Sequence, residues 1–194
     1  MIKTAITALC LALMSNAAAA QPGLVEAARE RVGITLVYDP AYVRLSYPGG
    51  DVPADRGVCT DVVIRAYRAA YGYDLQAAVH DDMAVHFNAY PAHWGLKKPD
   101  KNIDHRRVPN LETFFKRRGG RLPLSEESAF KAGDLVTWRI GGRLPHIGIV
   151  SDKTAADGTP LILHNMGWGT KEENILHRFP KTAHFRFKPA AQDD

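Results

Sequence analysis

Asp55-Arg56-Gly57-Val58-Cys59-Thr60-Asp61-Val62-Val63-Ile64-Arg65-Ala66-Tyr67-Arg68-Ala69-Ala70 is the stretch whose reading decides the fold of this 194-residue chain. On a 3.6-residue period Cys59, Val63, Ala66, Tyr67 and Ala70 share one face, Arg65 and Arg68 lie off it, and Gly72 supplies a stop. The spacing predicts a helix from Cys59 to about Tyr71 whose first side chain, a thiol, points at the body of the protein. Unpaired N–H groups and the helix dipole favour a thiolate at such a position.

Outward from this helix, Leu24 to Val32 reads as a short amphipathic helix ended by Gly33, and Tyr47-Pro48-Gly49-Gly50 as a turn. Helices are also predicted over Asp82–Tyr90 and over Asn110–Arg118 with Asn110 as N-cap, separated by a loop rich in Trp, Lys and His. From Gly133 onward the pattern changes. Leu135–Ile140, His146–Ser151, Leu161–His164 and Ile175–Phe179 are short β-prone runs, and His184–Phe187 alternates. Turn signals stand at Gly141-Gly142, Asp157-Gly158 and Gly167-Trp168-Gly169. Helices first and strands after predict an α+β domain with the Cys59 helix packed on an antiparallel sheet.

The first 20 residues have the form of a secretory signal: Lys3, an apolar run from Ile6 to Met14, then Asn16-Ala17-Ala18-Ala19-Ala20. Cleavage near Ala20 predicts a periplasmic or secreted protein, with one domain over residues 21–190 and a tail at 191–194. The run is too short to span a bilayer comfortably, and no later segment is apolar enough, so no stable membrane insertion is expected. Cys10 lies inside the signal and is expected to leave with it. The lone remaining thiol, Cys59, cannot form an internal disulfide in an oxidising compartment and is open to oxidation there, so chemistry is a good reason to keep it. At 45% hydrophobic and 24% charged residues the composition is that of an ordinary globular domain.

The net charge of +4 is mild, but its distribution is uneven. The insertion at about 73–121 holds Lys97, Lys98, Lys101, Arg106, Arg107, Lys116, Arg117, Arg118 and Arg121 against Asp100, Asp104 and Glu112. This is either a solvated basic face or an attraction to an anionic partner. An exported protein makes nucleic acid an improbable partner and a carboxylate-rich wall polymer a better one. A monomer is expected.

A cysteine nucleophile needs a base, and the base gains from an orienting group. His146 begins one predicted strand and His164 ends the next. If those strands are antiparallel neighbours, both rings lie near the same end of the sheet. The plainer readings are a buried cysteine that merely fills space and histidines that merely hydrogen-bond. The other histidines form no closely spaced pair, there is no cysteine pair, and no GxxxxGK loop occurs, so neither metal nor cofactor is expected.

Five pieces, in order over about residues 45–166, resemble the NlpC-type cell-wall cysteine peptidases of the wider papain-like fold, and more closely an exported bacterial domain-of-unknown-function family related to them. Tyr47-Pro48-Gly49-Gly50 resembles the element upstream of the nucleophile. Val58-Cys59-Thr60-Asp61 resembles Asp-Cys-Ser-Gly, and Ala132-Gly133-Asp134-Leu135-Val136 resembles Pro-Gly-Asp-Leu-Val. His146-Ile147-Gly148-Ile149-Val150 resembles His-Val-Gly-Ile-Tyr, and Leu163-His164-Asn165 the strand with the orienting residue. The resemblance implies Cys59 as nucleophile, His146 as base and His164 as its orienting partner, with Asn165 a competitor for that last role. It implies Tyr47 and the Cys59 N–H at the oxyanion. Val58 and Asp61 depart from the pattern, and so does the long insertion. Asp61, Asp104, His105, Arg106, Arg107 and Asn165 are candidate substrate contacts, the two arginines as clamps for carboxylates. The expected activity is hydrolysis of amide bonds in peptidoglycan stem peptides through an acyl-enzyme. The alternatives are a thiol transferase or deamidase on the same scaffold and a non-catalytic wall-binding module.

Overall fold

A computed structural model describes residues 23–125 and 129–190. The signal at 1–20 and the tail at 191–194 lie outside the described residues. The helices are α1 (Leu24–Arg29), α2 (Cys59–Tyr71), α3 (Leu75–His86) and α4 (Val108–Arg117). Two-residue strands β1 (Val37–Tyr38) and β2 (Arg56–Gly57) pair in parallel. The main sheet contains β3 (Arg121–Leu122), β4 (Leu135–Ile140), β5 (Leu144–Thr154), β6 (Pro160–Asn165), β7 (Thr170–Glu173) and β8 (Lys181–Phe185). Its order is β3-β8-β4-β5-β6-β7, and every pairing is antiparallel. The architecture is α+β.

Alternation along the strands divides the sheet into two faces. Leu135, Ile147, Ile149 and Leu163 face the helices and join Val63, Tyr67, Leu111 and Phe115 in the larger core. Val136, Trp138, Val150 and Ile162 face the other way and are covered by Ile175 and Leu176. That cover explains one difference from the sequence. Ile175–Phe179, expected to be a strand, is a turn-rich segment whose apolar side chains cap the second face, and the Trp138 indole donates to the Leu176 carbonyl at 3.2 Å. The strand is instead β7, whose Thr-Lys-Glu-Glu sequence carries no apolar alternation.

The α2 boundaries match the periodicity, and Gly72, at φ 61°, ends the helix in the left-handed conformation that glycine tolerates. Two other helices start earlier than expected. α3 is capped by Asp74, whose side chain accepts from the Gln76 amide. α4 begins at Val108 with Pro109 in its first turn. Asn110 is therefore inside α4, its side-chain amide donating to the Asp104 carbonyl.

Arg65 does not lie on a solvent face. It is buried, and its guanidinium binds Asp51 through two nitrogens (2.8 and 3.0 Å), the Thr35 hydroxyl, and the carbonyls of Val52, Pro53 and Arg56. α2 is thus enclosed on almost every side, and one guanidinium gathers the loop that leads into it. Arg65→Ala leaves these carbonyls without donors, which costs roughly 2–4 kcal/mol. Arg65→Lys recovers little, because an ammonium lacks the fork. Urea denaturation checks both; a midpoint within error of wild type for Arg65→Ala counts against this role.

Candidate functional site at the start of α2

Val58 caps α2 but has no polar side chain. Asp61, three residues on, fills the gap: its Oδ2 accepts the Val58 amide at 2.6 Å, one half of a capping box. The same carboxylate receives Arg106, Nε to Oδ1 and Nη2 to Oδ2, both at 2.9 Å. Arg106 continues to the carbonyls of Ala41 (3.1 Å) and Asp39 (3.2 Å), and the Thr60 hydroxyl donates to the Arg106 carbonyl. Both partners are almost completely buried. Gly57 is required beside them, since a Cβ there would lie 2.9 Å from Asp61 Oδ2.

Cys59 and His146 line one cavity of about 520 Å³. The amide of Ile147, the residue after His146, directs its N–H at the Cys59 sulfur, as do the amides of Thr60 and Cys59 itself. No hydrogen bond joins the thiol to the His146 ring. That ring shares the sheet face of its cross-strand partner Trp138, at 5.9 Å between centroids, whereas α2 packs on the opposite face. Thiol and imidazole thus belong to opposite faces, and both border the cavity near the first residues of β5.

His146 Nε2 lies 3.1 Å from His164 Nδ1, with the rings edge-on. The β5–β6 register brings them together, and Gly148 makes room. A Cβ at Gly148 would collide with Ile162 and lie 3.2 Å from the His164 Cβ. The far nitrogen of His164, Nε2, is 3.6 Å from a Glu173 carboxylate oxygen on β7 and has no closer partner. Asn165 is placed elsewhere. Its Nδ2 donates to the Gly57 carbonyl at 3.0 Å, and its Oδ1 accepts from Gly167, so it ties β6 to the segment before α2.

The remaining sequence candidates separate on geometry. Tyr47 does not line the cavity; its hydroxyl donates to Asp81 at 3.0 Å and its ring packs on His80. The tyrosine at the cavity is Tyr38, on β1. Asp61 and Arg106 are engaged with each other. Asp104 is buried and holds the Asp100 amide and Arg107. His105 is buried away from the cavity. Arg107 does reach the cavity, but it is paired with Asp104 at 3.0 Å and stacked 4.0 Å over Trp94. Trp94 and Met166, also in the wall, carried no site signal in the sequence beyond the composition of their loops. Among the described residues no cluster of three or more His, Cys, Asp or Glu could hold a metal, and no helix is long and apolar enough to cross a membrane.

A family model described as "Domain of unknown function (DUF1287)" matches residues 25–187, which includes every residue of this site. The chain belongs to that family. It is also 55% identical, over 165 residues, to the "Uncharacterized protein YijF" of Escherichia coli (strain K12); the match covers 84% of this chain and 80% of that protein. The DUF1287 match therefore spans the cavity, the two histidines and the Asp61–Arg106 pair together.

Burial dominates the electrostatics of this DUF1287 site. It pushes the Cys59 thiol up to about 12, against the pull of the three amides, with Asp61 adding to the rise. It pushes His146 down to about 3, with His164 adding to the fall. It pushes His164 down to about 4, against Glu173. Desolvation thus outweighs the pull of the amides and favours a neutral thiol and a neutral imidazole. Burial lowers His105 to about 4 as well. Each of these rings binds a proton more weakly folded than unfolded, so the stability they contribute is fully present above about pH 6.5 and is lost as pH falls toward 4. The urea midpoint should drop between pH 7 and pH 4.5, and His105→Gln should shrink the drop. A flat profile over that window contradicts buried neutral rings.

Proposed function

We propose that this protein is an exported cysteine hydrolase on an NlpC-like, papain-like scaffold, opening a carbonyl bond through an acyl-enzyme on Cys59. The observation that carries the reading is the 3.1 Å His146–His164 contact at the edge of the cavity that Cys59 lines. With the hydrogen on His146 Nε2, His164 accepts on Nδ1 and bears its own hydrogen on Nε2, toward Glu173. His146 Nδ1 is then unprotonated and available to the thiol.

In this mechanism a bound carbonyl brings Sγ and His146 Nδ1 into line. The thiol proton passes to the imidazole as the S–C bond forms, so no resting ion pair is needed. The amides clustered at the helix start supply oxyanion donors. His146 returns the proton to the leaving group, and water, deprotonated by the same ring, releases the product. The role suggested by resemblance for Tyr47 passes to these amides, with Tyr38 supplying a hydroxyl in the cavity wall. Peptidoglycan stem peptides are the substrate class the resemblance suggests, and the signal at residues 1–20 would bring the chain to them.

Two observations favour a second reading, a non-catalytic wall-binding module: burial raises the thiol pKa, and no hydrogen bond joins thiol and ring. The readings part in the laboratory. For a hydrolase, Cys59→Ala abolishes release of soluble fragments from purified sacculi while remaining folded, and His146→Ala loses about 10²–10⁴-fold. Sacculi left undigested by wild type, with Cys59 unreactive toward activated esters, favour the module. Glu173→Gln tests the outer end of the chain of groups: a positioning role shifts the pH profile of kcat, whereas a surface role leaves it unmoved.

A further inference from the structure

The cavity beside Cys59 has few polar groups to offer a substrate. No Ser, Thr, Asn, Gln, Asp, Glu or Lys side chain lines it. Its two arginines are already compensated, Arg106 by Asp61 and Arg107 by Asp104. Tyr38, Trp94 and His146 add a hydroxyl, an indole N–H and an imidazole, and most of the remaining wall is apolar, including Ile103, Val108, Ile140, Leu144 and Met166. At about 520 Å³ the space is far larger than the side chain of an alanine needs.

Two exposed apolar side chains stand near the mouth, Leu144 in the cavity wall and Trp168 in a neighbouring depression that shares Met166 and also holds Lys171, Glu173 and Arg178. Leu144 is 66% exposed, and Trp168, two residues beyond Met166, is 84% exposed. Gly169 abuts the backbone of exposed Leu36, so the Trp168 turn and the segment leading to Tyr38 adjoin. A peptide bound here would bring N–H and C=O groups that lose water and find few partners, which costs affinity. A polymethylene chain needs no partners and gains from each buried carbon.

We propose that the cavity is an acyl-chain site, and that the acyl-enzyme on Cys59 is a thioester of an aliphatic chain several carbons long. The inference rests on Cys59 acting as a nucleophile and replaces stem peptides, as the substrate class, with a lipid-derived ester, amide or thioester. The bond balance is simple. Sγ bonds to the acyl carbon, the bond to the leaving oxygen, nitrogen or sulfur breaks, and the thiol proton leaves with that group through His146. Water then cleaves the thioester, giving the carboxylic acid and the free thiol.

The test uses the purified protein and p-nitrophenyl acetate, butyrate, hexanoate and octanoate. Nitrophenol release is followed beside the intact-protein mass. The expected result is an acyl adduct on Cys59, absent in Cys59→Ala, and a kcat/KM that rises roughly two- to fourfold per methylene until the cavity fills. Leu144→Asp, at an exposed position where folding is not at stake, should lower the octanoate-to-acetate ratio at least tenfold. Acylation of Cys59 with no dependence on chain length, or release of soluble sacculus fragments together with a preference for acetate, overturns the acyl-chain site and leaves the nucleophile standing. No adduct and no Cys59-dependent nitrophenol release from any ester overturns the nucleophile and this inference with it.

Discussion

The buried ion pair between Asp61 and Arg106 is the constraint on which the site depends. One carboxylate caps α2 through the Val58 amide and takes both arms of a guanidinium. That guanidinium also holds the carbonyls of Asp39 and Ala41. Three segments distant in sequence therefore close around Cys59: the strand-and-loop carrying Tyr38 and Pro40, the helix start itself, and the Asp104–Arg106 turn that leads to Arg107 and Val108. A buried pair of this kind adds little net stability over an apolar substitute, yet removing one partner costs roughly 3–5 kcal/mol, because the other is left charged in a dry place. Its value lies in geometry. It fixes two walls of the cavity relative to the sulfur.

The same enclosure sets the electrostatics. A helix N-terminus in water lowers a thiol pKa, and the amides of Cys59, Thr60 and Ile147 do pull in that direction. They are overcome because the packing that built the site buries the sulfur. The histidines obey the same rule with the opposite sign. Neutral thiol beside neutral imidazole is the consistent outcome. Any chemistry proposed for the pair has to draw its charge separation from the reacting carbonyl and from donors already in place, which is the condition under which fixed dipoles act most strongly.

Much of the scaffold was legible. The Cys59–Tyr71 helix, the strands at Leu135–Ile140, His146–Ser151 and Leu161–His164, and the glycine turns between them follow from periodicity and turn chemistry. The meeting of His146 with His164 was readable too, because antiparallel neighbours joined by one turn place the start of one strand beside the end of the next. What was not legible depends on long-range partners. Nothing local marks Arg65 as buried, since its ligands come from Thr35 and from residues 51–56. Nothing local separates Tyr38 from Tyr47. Ile175 and Leu176 look like strand residues because burial, not pairing, selects them. Asn165 and His164 were competitors only in sequence; in space one binds the Gly57 carbonyl and the other the His146 ring.

The basic stretch is the clearest case of a one-dimensional signal changing meaning on folding. Counted along the chain, nine cations face three anions between Lys97 and Arg121. Their compensation comes largely from elsewhere: Asp61 holds Arg106, and Asp82 holds Arg117 and approaches Arg118. Only Arg107 pairs within the stretch, with Asp104. Three of the five guanidiniums in the stretch are closely paired, including both that reach the cavity wall. With Arg106 and Arg107 held by buried carboxylates, the wall beside the thiol is mostly apolar, the kind of surface that gains from removing hydrocarbon from water.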